Sequence, residues 1–221
     1  MLKKFIRVLG MKKYLFDFDG TLVDSMPVYC KVMLKILDDN NIAYEKDILK
    51  TITPLGTAGT AEYFISLGLN LQKEEIFALM GENMLYEYEN NIEAKVNVVE
   101  TLKALKEKGC DLNVLTASPH ITLDPCLKRL GIYDLFTNVW SCDDFGTTKS
   151  NPEIYISAAE KMDCGVEDVL FLDDNFNAVK TAKTAGMKTC GVFDESSREY
   201  TDEIKKITDF YIEDFSQLLK I

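Results

Sequence analysis

Hydrophobic and polar positions follow two regimes along the chain. Residues 13–18 are nearly continuously apolar up to Phe16 and read as a strand buried in a parallel sheet. From Ser25 to about Glu93 only helical spacings occur, over 28–38, 60–67 and 72–90, with Gly56, Gly59, Gly68 and Gly81 breaking the runs. Ser25 suits an N-cap, and Pro27 falls in the first turn, where its missing N–H costs nothing. After about Lys95 helix and strand alternate. Helices are predicted over 98–108, 123–130, 153–162 and 178–185, three of them stopped by Gly109, Gly131 and Gly186. Strands are predicted over 112–115, 138–141, 169–172 and 189–193, with 210–212 a further strand before a short terminal helix.

This alternation predicts an α/β fold, a doubly wound, Rossmann-like parallel sheet with helices on both faces. Ligands of such sheets bind at the carboxyl ends of the strands. The helical stretch interrupts the alternation directly after the first strand, so it reads as a small inserted all-helical cap over that strand's carboxyl end. The expected division is a catalytic core of residues 11–24 and 96–221, a cap of 25–95, and an N-terminal extension of 1–10. That extension carries Lys3, Lys4 and Arg7 among apolar residues and lacks a small-residue cleavage site; Met11 could equally be the start. Cap opening and closing is expected about hinges near Asp24-Ser25 and 92–96.

Charge narrows the partners. The chain has 25 Lys+Arg against 36 Asp+Glu, a net charge of −11. A field of that sign opposes nucleic acid, and no apolar run is long enough to span a membrane. Six cysteines without a C-x-x-C and a single histidine exclude a histidine-rich metal centre and suit reduced thiols in a cytoplasmic protein, monomeric or weakly self-associating.

The chemistry collects at the strand ends. Asp17 and Asp19 flank Phe18 where the first strand runs into Gly20, which permits a sharp turn. Two carboxylates this close repel and call for a cation or a shared proton. Thr116, Ala117 and Ser118 end the second strand with hydroxyls and backbone N–H groups suited to an anion. Asp173 and Asp174 end the fourth, and Lys149 stands in the polar loop before Asn151-Pro152-Glu153. Several carboxylates and one lysine suit Mg²⁺ and a phosphoryl group, with a carboxylate as nucleophile on phosphorus. Each feature alone has a plain reading: an Asp turn, a strand-end hydroxyl, a surface lysine, a helix cap. His120, after Ser118-Pro119, could touch substrate or be an exposed histidine opening a helix.

Taken in order, Asp17-Phe18-Asp19-Gly20-Thr21, Thr116, Lys149 and Asp173-Asp174 resemble the four motifs of the haloacid dehalogenase-like superfamily, in the branch of phosphoglycolate phosphatase and β-phosphoglucomutase. The resemblance runs from Tyr14 onward. It implies Asp17 as nucleophile and Mg²⁺ ligand, and Asp19 as acid and then base, with its backbone carbonyl on the metal. It further implies Thr116 and the Ala117 backbone as phosphate binders, Lys149 paired with Asp17 and the phosphate, Asp174 as metal ligand, and Asp173 acting through water on the metal. Ser150 replaces the usual proline after the lysine, and Ala178 stands where glycine or an acid often follows the metal-binding Asp.

The second acid, Asp19, is typically missing from the dehalogenases, so phosphoryl transfer is favoured. β-Phosphoglucomutases carry a histidine and an arginine in the cap; residues 25–93 contain neither. The resemblance therefore implies a Mg²⁺-dependent phosphatase of a small phosphorylated metabolite, working through an aspartyl-phosphate. A phosphosugar mutase and a catalytically silent metabolite binder are the alternatives. Residues 54–59, with small side chains, would lie close to the ligand.

Overall fold

A computed structural model describes residues 12–52 and 55–221. The N-terminal extension, Met11 and part of the small-residue segment at 54–59 lie outside the described residues. Six strands form one sheet in the order β3-β2-β1-β4-β5-β6, parallel throughout. They are β1 (Lys13–Phe16), β2 (Asp111–Thr116), β3 (Asn138–Ser141), β4 (Val169–Asp173), β5 (Lys188–Val192) and β6 (Phe210–Ile212). The chain winds outward from β1 to β3, then crosses back to place β4 on β1's other side. Strand order therefore reverses at β1, and in sheets of this kind ligands bind at the carboxyl edge of such a switch point.

The central strands are apolar because both faces are covered. Leu15, Leu115 and Phe171 pack with Tyr155, Ala158 and Ala159 of α7 (Glu153–Lys161) and with Ala178 and Ala182 of α8 (Phe176–Ala185). On other ring contacts, Phe16 meets Phe136 edge-on and Phe215 in a stack. Leu15, Phe16 and Phe171 are fully buried, each contributing about 1.5–3 kcal/mol by leaving water. The core is completed by α5 (Val98–Glu107), α6 (His120–Arg129) and α9 (Thr201–Ile207).

In the second compact unit, Ser25–Ile92, the secondary-structure elements among the described residues are all helices. It comprises α1 (Met26–Asp39), α2 (Ile48–Ile52), α3 (Gly56–Ser66) and α4 (Lys73–Asn90). Its own core joins Met33, Ile36 and Leu37 of α1, Ile48 and Ile52, Phe64, and Ile76 and Met80. Apolar residues three and four apart put these on single helix faces. A capping box between Gln72 and Glu75 starts α4. Among the cap aromatics Phe64 and Tyr88 are buried, whereas Phe77 and Tyr86 are exposed.

Some boundaries differ from the sequence expectation. β1 stops at Phe16 because the Phe18 carbonyl turns to accept from the N–H groups of Thr21, Leu22 and Val23. Helices α2 and α9 have too few apolar positions to show a period; α9 buries only Ile204. α6 begins at His120 with Pro125 inside it, and the terminal helix is a 3₁₀ turn, Phe215–Lys220. The helical unit ends at Ile92 rather than at 95. Asp24 N–H donates to Glu93 O (3.0 Å) and Lys95 N–H to Leu22 O (3.0 Å), which ties Glu93 to Lys95 into the core.

Candidate active site

The carboxyl edge is built by continuing the β1–β4 ladder one step. Phe16 pairs with Leu172, and Asp17 N–H donates to Leu172 O at 2.9 Å, so Asp17 and Asp173 emerge side by side. With Asp174 they form a buried trio in which one carboxylate oxygen from each lies within 4.8 Å of the others. Lys149 Nζ is 2.7 Å from Asp17 Oδ1 and 2.8 Å from Asp173 Oδ2. Asp173 also accepts from Asn175 N–H at 2.7 Å, and Asp174 from the Thr21 hydroxyl at 3.2 Å. The loop carrying Lys149 is tied down by the buried Tyr155 hydroxyl, 3.0 Å from Lys149 O and 3.2 Å from Ala178 O.

Three acids facing one ammonium leave the site short of positive charge. Burial, and then the neighbouring Asp173, push the Asp17 carboxyl up to about 7, although Lys149 pulls the other way. Burial together with Asp173 and Asp17 holds Asp174 well above the usual carboxylate range. Burial works against the Lys149 ammonium, yet Asp17 and Asp173 outweigh it and keep its affinity for the proton high. Asp17 Oδ1 is buried and has the Lys149 ammonium 2.7 Å away as its ion-pair partner, so one cation serves a cluster of three acids. An all-carboxylate set of this kind suits a hard divalent ion of the Mg²⁺ type. Gly20, at φ +72°, lies against Asp174 and makes that packing feasible.

The other predicted residues occupy a second group. The carboxylate of Asp19 stands outside the buried trio and accepts a hydrogen bond from Ser118 Oγ. Thr116, buried at the end of β2, accepts from Ser118 N–H through its hydroxyl at 3.1 Å, and Ala117 is exposed. Asp173, expected to act mainly through a metal-bound water, is fully buried inside the trio. His120 has Asp124 at Nδ1 and Asp144 at Nε2, both at 2.8 Å, so each ring nitrogen already has a carboxylate. Thr21 and Tyr155 received no role from the sequence. Thr21 lay inside the first motif, whereas Tyr155 looked like one more apolar position of α7.

Comparison with known proteins agrees with this architecture. The model of the haloacid dehalogenase-like hydrolases matches residues 11–186. A pyrophosphatase, PpaX, of Bacillus velezensis is 30% identical over 179 residues, covering 80% of this chain and 81% of the relative. A phosphoglycolate phosphatase of Mannheimia succiniciproducens is 29% identical over 219 residues, covering 93% and 96%. A Thermotoga maritima structure, assigned provisionally as a β-phosphoglucomutase, superposes with a TM-score of 0.83 at 22% identity, covering 95% and 99%, which bears on the fold alone. The chain belongs to the haloacid dehalogenase-like hydrolase family, and within it is a phosphoric monoester hydrolase. Among the described residues no helix is long and apolar enough to cross a membrane.

Proposed function

We propose that this enzyme is a Mg²⁺-dependent phosphatase of a small phosphorylated metabolite, with Asp17 as nucleophile. The observation that carries the reading is the buried cluster of Asp17, Asp173 and Asp174, which shares the single ammonium of Lys149. An Asp17 oxygen attacks phosphorus, and the bond from phosphorus to the leaving alcohol oxygen breaks. Asp19 gives that oxygen a proton, its carboxyl held in place by Ser118 Oγ. Asp19, now a carboxylate, takes a proton from the water that attacks phosphorus, and the aspartyl-phosphate bond breaks to free Asp17 and phosphate. Lys149 offsets the negative charge that builds when a phosphoryl group meets Asp17. Thr116 and the Ala117 backbone N–H hold phosphoryl oxygens. Asp17, Asp174 and the Asp19 backbone carbonyl would hold Mg²⁺, with Asp173 in support, and the ion would supply positive charge against the transferring group.

The relatives named pyrophosphatase and phosphoglycolate phosphatase support a small, anionic substrate, as does a net charge of −11, which disfavours polynucleotides. The mutase alternative draws on the fold shared with the Thermotoga structure; the cap's lack of histidine and arginine weighs against it. The test is a panel of phosphorylated metabolites and an aryl phosphate, with released phosphate measured in Mg²⁺ and in EDTA. Hydrolysis that needs the metal and disappears in Asp17→Asn is expected. No metal-dependent release across the panel defeats the reading, and hexose phosphate isomerisation in place of release selects the mutase.

A further inference from the structure

Lys95 lies outside the carboxylate trio, yet it holds one wall of it. Its side chain is 18% exposed, and its ammonium reaches Gly20 O at 2.7 Å, Asp194 Oδ2 at 2.9 Å and the Phe193 carbonyl. An ammonium has three N–H donors and here meets three acceptors. The acceptors come from the turn after β1 and from the segment after β5, which are not neighbours in sequence.

Each side of this bridge is firm. Asp194 accepts from Ser196 N–H (2.9 Å) and Oγ (2.6 Å), and Phe193 N–H donates to Ile212 O at 2.9 Å. On the other side the turn is closed on itself by three bonds to Phe18 O, and Gly20 N–H donates to Val23 O at 3.0 Å. Gly20 is buried, so its carbonyl needs a donor, and Lys95 provides one. Gly20 is also the surface on which Asp174 rests, with no room for a methyl group between them. A shift of Gly20 therefore moves both Asp19, its chain neighbour, and the packing of Asp174.

We propose that Lys95 is a positioning residue, clamping the Asp19-Gly20 turn to the carboxyl end of β5 so that Asp19 and Asp174 keep their places. The proposal deepens the phosphatase reading and rests on it for its kinetic part only. Lys95 touches neither substrate nor the reacting atoms; it acts through the Gly20 carbonyl.

The test compares wild type with Lys95→Met, which keeps the stem and removes the donors. Hydrogen–deuterium exchange on the metal-free protein should rise at least tenfold for the amides of 20–23 while those of 112–116 stay unchanged. With Mg²⁺ and an aryl phosphate, kcat should fall at least tenfold with KM within twofold. Unchanged exchange at 20–23, a kcat within twofold of wild type, or a loss confined to KM overturns the proposal. Should Lys95→Met not fold, Lys95→Gln carries the same readouts. In wild type, moreover, the three bonds require a slowly exchanging Lys95 Nζ signal by nitrogen-15 NMR, and its absence also overturns the clamp. If wild type hydrolyses nothing, the phosphatase reading fails while the exchange and NMR results still decide the clamp.

Discussion

A β-carbon placed on Gly20 would lie 2.8 Å from the carboxyl carbon and from both oxygens of Asp174, two residues 154 positions apart in the chain. This contact explains why the turn after β1 and the end of β4 form one unit: the first has to be bare for the second to approach.

Gly20→Ala should therefore fail twice. The backbone at φ +72° strains an L-residue by about 1–2 kcal/mol, and the methyl group displaces Asp174. Turnover should fall by roughly 100-fold or more, the scale of a 1 Å misplacement of a catalytic group. Thermal unfolding and phosphate release check both effects, and full activity at wild-type stability would refute the link.

Metal-free protein should lose stability as pH rises from about 4, where an unfolded aspartate titrates, to about 7, where folded Asp17 does. Between those values the folded state holds the extra proton, so the slope is negative, at most about 1.4 kcal/mol per pH unit for one group. Asp174, shifted in the same direction, adds to it. Urea unfolding at pH 5 and 7.5 should show the decline, and Asp17→Asn should flatten it. Added Mg²⁺ should stabilise more at pH 7.5 than at pH 5, because binding requires the ionised carboxylates.

Lys149→Met should abolish turnover and destabilise the fold. It leaves Asp17 and Asp173 buried without their shared cation, a loss on the order of 3–5 kcal/mol for a broken buried pair. If the metal-free variant also takes up protons, that loss shrinks at low pH. Denaturant melts at pH 5 and 8 would show a larger deficit at pH 8.

His120 is the single histidine, so one imidazole resonance reports it. Hydrogen bonds to Asp124 and then Asp144 raise its proton affinity above the ordinary histidine value. Its stabilising effect is complete below about pH 6.5, the unfolded value, and fades as pH rises through the folded one. Proton NMR titration should give a value above about 6.5 that drops in Asp144→Asn. His120→Asn should alter kcat less than threefold; a tenfold loss would favour the substrate contact instead.

Sheet architecture was legible because its signals are local: apolar runs for β1, β2 and β4, glycine stops after α5, α6 and α8, and a helical period through 72–90. The candidate groups could be picked out as well, since Asp17, Thr116, Lys149 and Asp174 each sit where a predicted strand or loop ends. What tertiary structure alone decided was company. Sequence could not tell that Asp173 joins Asp17 and Asp174 while the Asp19 side chain turns to Ser118, because strand register and the turn at Phe18 settle that. Nor could it distinguish Lys95 or Tyr155 from ordinary residues. Their partners lie elsewhere in the chain, 75 positions away for Lys95 and Gly20, and only folding the sheet brings donor and acceptor within bonding distance.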